Sequence, residues 1–598
     1  MTIKQIFLII VITQVGFFSL AQDLLLEAES FDNTGGWLVD PQFVEQVGSP
    51  YLLAHGLGAT VQNASTEVKF AKNGNYNIWV RTVNWVPGNW QAPGQFKLKI
   101  NGTLMDKPLG LRSGWGWEYV GKTAVQNRSL HVELVDLTGF DGRCDAIYFS
   151  KSEIEPPSSG KKLAEWRKTV TVERNTPEKT KSYDLVVVGG GIAGCAASIA
   201  AAEQGLKVAL IHDRPLLGGN ASSEIRVHTL GVYGNFERIL KMLDTEHYPN
   251  GDAKSEIDQK KRDANVNNYD NIDLFLNYRA YDAVAENNTI EYVDARQTFT
   301  GERIRFKAPR FVDSTGDGWI GFWAGADFSY GRESVDTFDE DWEEHGELWS
   351  PKVADNAVMG SSVLWGSKET KSTHAFPEVP WAMSVAKNHS EVNGKWKWEF
   401  SRNDLNQIED AEEIRDHMLR AIYGSFYNAK QLPENATRKL EWVSYLVGKR
   451  ESRRLIGDHI FTFNDAKKGQ KFPDAVVIEE RVVDVHFQIV LEDENNPDFI
   501  SEALFYKAPE YYIPYRSLYS KNIKNLFMAG RNFSCSHLGL GGPRVMRTTG
   551  QMGAAVGFAA SLCDKYDVMP RDIYDRYLNE YLELIETQKY TKIPESKK

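Results

Sequence analysis

The stretch from Tyr183 to Asn220, YDLVVVGGGIAGCAASIAAAEQGLKVALIHDRPLLGGN, constrains the fold more than any other part of this chain. Asp184 to Val188 is a short apolar run of the kind needed by a strand buried on both faces. It leads directly into Gly189-Gly190-Gly191-Ile192-Ala193-Gly194, which satisfies G-x-G-x-x-G through Gly189, Gly191 and Gly194. The first glycine permits a tight turn, the second lets backbone approach a pyrophosphate, and the third lets helix pack on strand. Ala193, Ala196, Ala197, Ala200 and Ala201 keep the following helix thin enough to lie close to a sheet, and Gly205 stops it. Lys207 to Ile211 reads as a second parallel strand. Strand, glycines, small-residue helix, stop and strand occur in order, so the segment predicts a dinucleotide-binding β-α-β unit with the pyrophosphate at the helix N-terminus. An acid that holds the ribose is expected about 20 residues beyond the first glycine. The second strand closes on His212 instead, which makes Asp213, one residue later, the candidate.

Further landmarks lie downstream. Phe311-Val312-Asp313 followed by Ser314-Thr315-Gly316-Asp317-Gly318 puts a carboxylate, Asp317, at the C-terminal edge of a strand, where ligands of such sheets bind. Asn525 to Met528 is another apolar strand, delivering Ala529-Gly530-Arg531. Gly539, Gly541 and Gly542 precede Pro543 and a helical run expected over Arg544 to Ala560. That pattern marks a helix start aimed at something backbone must approach. Gly550, Gly553 and Gly557 would let this helix pack tightly. The helical-looking stretch from Ala411 to Arg453 ends in the charge cluster Arg450-Glu451-Ser452-Arg453-Arg454, which could face solvent or an anionic substrate. Asp484 and His486 alternate on a strand-like run and point to one side as a candidate acid-base pair.

Residues 23–150 have a different character. Tyr76-Asn77-Ile78-Trp79-Val80-Arg81 and Phe96-Lys97-Leu98-Lys99-Ile100 alternate with period two between Gly and Asn turns, which predicts an antiparallel β-sandwich. Trp79 belongs to its core. Trp85, Trp90, Trp115 and Trp117 sit in Gly- and Pro-containing loops, suited either to stacking on sugar rings or to packing on the next domain. Residues 151–181, with Pro156-Pro157-Ser158-Ser159-Gly160, read as a linker partly ordered over Leu163 to Val170.

Compartment follows from the start of the chain. Met1 to Ala21 carries Lys4, an apolar run from Ile6 to Ile12, and Ser19-Leu20-Ala21 before Gln22, the layout of a secretory signal peptide. No later run is long and apolar enough to span a bilayer. The expectation is an exported protein, periplasmic or extracellular and without a transmembrane segment once processed. A net charge of −12 argues against nucleic acid as a partner. Cys144, Cys195, Cys535 and Cys563 are too few and too scattered for a disulfide framework and are expected as core thiols. No His/Cys/Asp cluster has the spacing of a catalytic metal site.

Taken together, the fingerprint, LGGNASSE, STGDG, GKRESRRLIGD, IPYRSLY and NLFMAGRNFS resemble the FAD-dependent oxidoreductase family of glutathione-reductase-like Rossmann flavoproteins, over about Tyr183 to Cys563. The resemblance implies FAD contacts at Gly189, Gly191, Gly194, Asp213, Gly219, Asp317, Gly530 and Arg531. It implies a substrate or flavin contact at Arg226 and His228, and a general base at His537; His486, from the strand pattern above, is the other candidate for that role. The opening Glu27-Ala28-Glu29-Ser30 and the close Asp141 to Ile147 resemble carbohydrate-binding sandwich modules, which implies a structural calcium at Glu27, Glu29 and Asp145. The expected architecture is multidomain. An N-terminal antiparallel β-sandwich (23–150) and linker (151–181) precede an α/β Rossmann-type FAD-binding domain (182–330 and 509–565). An inserted α+β substrate domain (331–508) interrupts it, and a C-terminal helix and tail (566–598) follow.

The implied function is oxidation of a carbohydrate or glycan-derived alcohol by hydride transfer to flavin N5, with a small-molecule or oligosaccharide substrate and an unassigned electron acceptor. Flavin-dependent reduction or elimination on a sugar is one alternative. A glycan-binding protein with a degenerate flavin scaffold is another.

Overall fold

The computed structural model describes residues 23–170, 177, 179–247, 249–394, 397–487 and 497–589. The expected signal segment lies outside them. Among the described residues no helix is long and apolar enough to cross a membrane.

Five parallel strands form the sheet that carries the fingerprint, in the spatial order Ile272–Leu276, Val208–His212, Leu185–Val188, Arg310–Asp313, Leu526–Met528. All four residues of the central Leu185–Val188 strand are buried, as strand neighbours on both edges and covered faces require. The fingerprint helix, Ile192–Glu203, ends just before Gly205, which takes a φ of +91°. Against it lies the long helix Met546–Tyr566. A side chain at Gly550 would strike Leu240 and crowd Ile192, and side chains at Gly553 and Gly557 would strike the Ala193 and Ala197 carbonyls. Both chains advance together along this contact, so the two helices run in the same direction and their N-termini lie at the same end. Glycine is what allows the close approach.

Residues 24–150 fold into two antiparallel sheets, one of six strands and one of four. Phe96–Ile100 shows the expected alternation, with Phe96, Leu98 and Ile100 buried. Leu98 and Val132 from the smaller sheet share one apolar cluster with Ile78, Val80 and Ile147 from the larger. Trp79 is buried. Of the loop tryptophans, Trp85 packs edge-on against Trp381, and Trp115 packs on Tyr51 and hydrogen-bonds Glu412. Trp117 packs against Trp166, and only Trp90 is well exposed, at 42%. The loops therefore serve mainly as packing surface.

Three expectations are corrected. The stretch read as helical from Ala411 to Arg453 is a helix only over Ala411–Lys430; Pro433 follows, and Arg438–Val443 pairs as a strand with Trp365–Glu369. The helix expected from Arg544 starts at Met546 and runs to Tyr566. Glu27, Glu29 and Asp145 do not make a calcium site. Arg167 pairs with both Glu27 and Asp145, and Arg81 pairs with Asp145 at 2.8 Å, so guanidinium groups take the place of a cation. No cluster of His, Cys, Asp or Glu among the described residues could hold a metal. The linker contributes a helix, Gly160–Val170, and a strand, Lys179–Ser182, paired with Arg303–Lys307. All four cysteines are buried and free.

Candidate active site

One cavity of about 570 Å³ runs along the C-terminal edge of the parallel sheet, within the usual range for cofactor sites. Its lining begins with the fingerprint. Gly189 has a φ of +108°, and a side chain there would strike the Ser314 carbonyl; one at Gly194 would strike the Gly189 carbonyl. A Cβ at Gly191 would meet nothing nearer than the Gly219 Cα at 4.0 Å, so this is the glycine that opens onto the cavity. Gly191 is also the N-cap of the helix and supplies no side chain to its free N–H groups. Val545 caps the Met546–Tyr566 helix, likewise without a side-chain bond, and Val545, Met546 and Thr549 line the same cavity. Two uncapped positive helix ends therefore face one space, which favours anionic or electron-rich groups there. Gly539, Gly541 and Gly542 do not open onto it. Side chains there would strike Phe461, Val485 and Tyr511, so these glycines pack the turn inward.

His212 occupies the strand end where a ribose acid is usual. Its Nδ1 accepts the Gly190 N–H at 3.1 Å and its Nε2 donates to the Leu216 carbonyl at 3.0 Å. Asp213 lines the cavity beside Arg279, which also holds Glu45, from the short helix Val44–Val47 of the N-terminal unit, at 2.5 Å. Gln42, Phe43 and Glu45 complete this wall, so the N-terminal unit is part of the site. Asp317 is clamped by Lys449 at 2.7 Å, Arg531 at 2.8 Å and Ser452. Burial alone would raise its pKa, but the two cations outweigh burial and hold it far below the ordinary carboxylate range. Gly219, Gly530 and Arg531 also line the cavity. A glycine opening onto an uncapped helix start, an acid beside it and a second helix start suit a dinucleotide flavin. Gly191, Gly219, Asp213, Asp317, Gly530 and Arg531 are the residues placed to hold it.

A chemically different group completes the lining. Asp484 and His486 lie on the strand Val483–Phe487, two residues apart and on one face. The His486 Nε2 is 3.0 Å from an Asp484 oxygen and its Nδ1 is 2.9 Å from Glu399. Arg450 pairs with Glu399 at 2.6 Å, Arg481 with Asp484 at 2.8 Å, and Arg544 with Asp484 at 3.3 Å. Burial would raise the Asp484 pKa, yet the bond from His486 and the charges of Arg544 and Arg481 pull it far down. His228 also lines the cavity, and burial lowers its pKa.

Two candidates fall elsewhere. His537 is buried outside the cavity lining, its ring Nδ1 on Glu451 and its backbone N–H donating to Glu333. Arg226 turns away to stack on Trp442, 4.3 Å from its ring, and to approach Glu256. The charge cluster after Lys449 is not a solvated face. Arg450 enters the cavity, Arg453 lies over Phe322, and Arg454 is buried on Glu451 and Glu333. Glu399, Arg481 and Arg544 were not singled out by the sequence, because each acquires its role only through contacts across the fold.

Over 162 residues the chain is 30% identical to urocanate reductase of Eggerthella lenta, covering 26% of each chain. The chain thus spans about a quarter of that relative's length. Among solved structures it resembles a geranylgeranyl bacteriochlorophyll reductase-like protein of Thermoplasma acidophilum, at 13% identity and a TM-score of 0.30, covering 68% of this chain and 84% of that one. It also resembles a family 35 carbohydrate-binding module of Clostridium thermocellum, at 14% identity and a TM-score of 0.19, covering 22% of this chain and 100% of that one. The model of the FAD dependent oxidoreductase family matches residues 184–584, the span that builds the parallel sheet, the inserted segment and both helix ends at the cavity, and the chain belongs to that family.

Proposed function

We propose that this enzyme is exported and oxidises a hydroxyl-bearing carbon of a carbohydrate or glycan-derived alcohol. The observation that carries the reading is one cavity holding both the flavin cradle and the Asp484–His486 pair, with Glu399 buried behind the ring. Bound FAD would supply the two-electron acceptor. The protein's part is to place the alcohol beside His486 and receive the hydroxyl proton in the Asp484–His486–Glu399 set, while the carbinol hydrogen leaves as hydride. The substrate would become a carbonyl compound, and O₂ or an electron carrier would restore the enzyme. Export is supported by the character of Met1 to Ala21, and a glycan substrate by the module-like ends of the N-terminal unit.

Reduction or elimination on a sugar has its own support. A carboxylate lies within 3.0 Å of each ring nitrogen of His486, which stabilises the protonated ring and so suits it to giving a proton up as well as taking one. The test is the visible spectrum of the purified mature protein before and after anaerobic addition of mono- and oligosaccharides. Bleaching of the flavin band by one sugar class is expected. A flavin band that no sugar bleaches would sink the oxidation reading and favour reduction or elimination.

A further inference from the structure

The same cavity carries more positive charge than its own carboxylates balance. Arg450, Arg481 and Arg544 all line it; Arg450 pairs with Glu399, whereas Arg481 and Arg544 share the single carboxylate of Asp484. The three are close enough to feel each other. Burial lowers the Arg544 pKa, Asp484 raises it, and Arg450 and Arg481 both lower it further. Arg481 also helps lower the His228 pKa. The Nε atoms of Arg481 and Arg544 are buried and, among the described residues, have no hydrogen-bond partner. Leaving such donors unmade is costly in a site from which water is displaced. The cluster is built from residues 450, 481 and 544, separate from the fingerprint turn that would take the pyrophosphate.

We propose that Arg481 and Arg544 bind a carboxylate of the substrate, so that the enzyme acts on acidic sugars of the uronate type. A guanidinium meets a carboxylate in two parallel N–H···O bonds, which fixes orientation as well as charge. An acid anchored there would lie beside the Asp484–His486 pair. This inference rests on the proposed redox role of that pair but is tested separately from it.

The experiment titrates FAD-loaded protein anaerobically with glucuronate, galacturonate, glucose, galactose and succinate, reading both the shift and the bleaching of the flavin band. The uronates are expected to bind at least about tenfold more tightly than the neutral sugars. Arg481→Gln and Arg544→Gln should each remove that preference, and Arg544→Lys should keep part of it. Equal binding of acidic and neutral sugars overturns the proposal. So does an undiminished preference in both Gln variants, or variants that lose FAD retention and not acid selectivity. Uronate binding without bleaching keeps the carboxylate site and discards alcohol oxidation. Succinate binding as tightly as glucuronate keeps the carboxylate site and discards the sugar.

Discussion

His212 closes the strand Val208–His212 with its ring accepting from Gly190 and donating to Leu216, so the neutral imidazole is built into the turn that carries the fingerprint. Burial pushes its pKa down from 6.5 to about 4. The unfolded chain takes up this proton near pH 6.5, whereas the native one resists until about pH 4. Stability contributed here is therefore full above pH 6.5 and falls as pH drops toward 4, by roughly 3–3.5 kcal/mol as an upper bound. Urea unfolding at pH 7 and pH 4.5 should show a steeper acid loss in the native sequence than in His212→Gln. Identical slopes would mean that the ring is not held neutral. Single residues were unevenly legible in the sequence. Gly189, Gly191 and Gly194 reveal themselves because their spacing is local. The choice between His486 and His537 does not, since which histidine reaches the cavity depends on how Glu399 and Glu451, far away in sequence, fold around each ring.

The pairing of the helices Ile192–Glu203 and Met546–Tyr566 brings two positive ends to one cavity. It depends on bare backbone at the contact. A Cβ at Gly553 would lie 2.0 Å from the Ala193 carbonyl oxygen, a backbone atom that no rotamer change can move. Alanine ordinarily stabilises a helix interior by roughly 0.5–1 kcal/mol over glycine. Overpacking here opposes that gain with a cost of about 1–3 kcal/mol or more, so the steric effect wins. Gly553→Ala should lower the melting temperature and weaken FAD retention together, because Ile192 and Ala193 belong to the cavity wall. A variant as stable as the parent, with unchanged FAD affinity by fluorescence titration, would refute the account. This helix was legible in the sequence from its glycines at the right spacing. Its start was displaced by two residues because Gly539, Gly541 and Gly542 look like a ligand loop but pack against Phe461, Val485 and Tyr511. The break after Lys430 was missed for a related reason, since Arg438–Val443 becomes a strand through its partner Trp365–Glu369.

Across the whole molecule, the N-terminal sheets are joined to the rest by buried charge, invisible in the sequence because its partners lie hundreds of residues apart. Arg415 is fully buried, paired with Asp40 at 2.9 Å and bonded to Tyr51 at 3.0 Å. Arg143 reaches back to Glu412 and Asp416, and His55 bonds both Asp141 and the Val443 carbonyl. Trp85 and Phe140 enter the apolar cluster that contains Trp381 and Tyr423. Separating the two units would expose these charges without their partners and remove Gln42, Phe43 and Glu45 from the cavity wall. A tethered module would unfold independently, whereas an interface of this kind couples the units. Scanning calorimetry should therefore show one cooperative transition, raised as a whole by added FAD, because a ligand stabilises everything that must unfold with its site. Arg415→Met leaves Asp40 buried without its cation and should destabilise that transition by about 3–5 kcal/mol. Two separate transitions, with FAD raising only one and Arg415→Met lowering neither, would show that the N-terminal unit is an appendage and that the cavity does not need it.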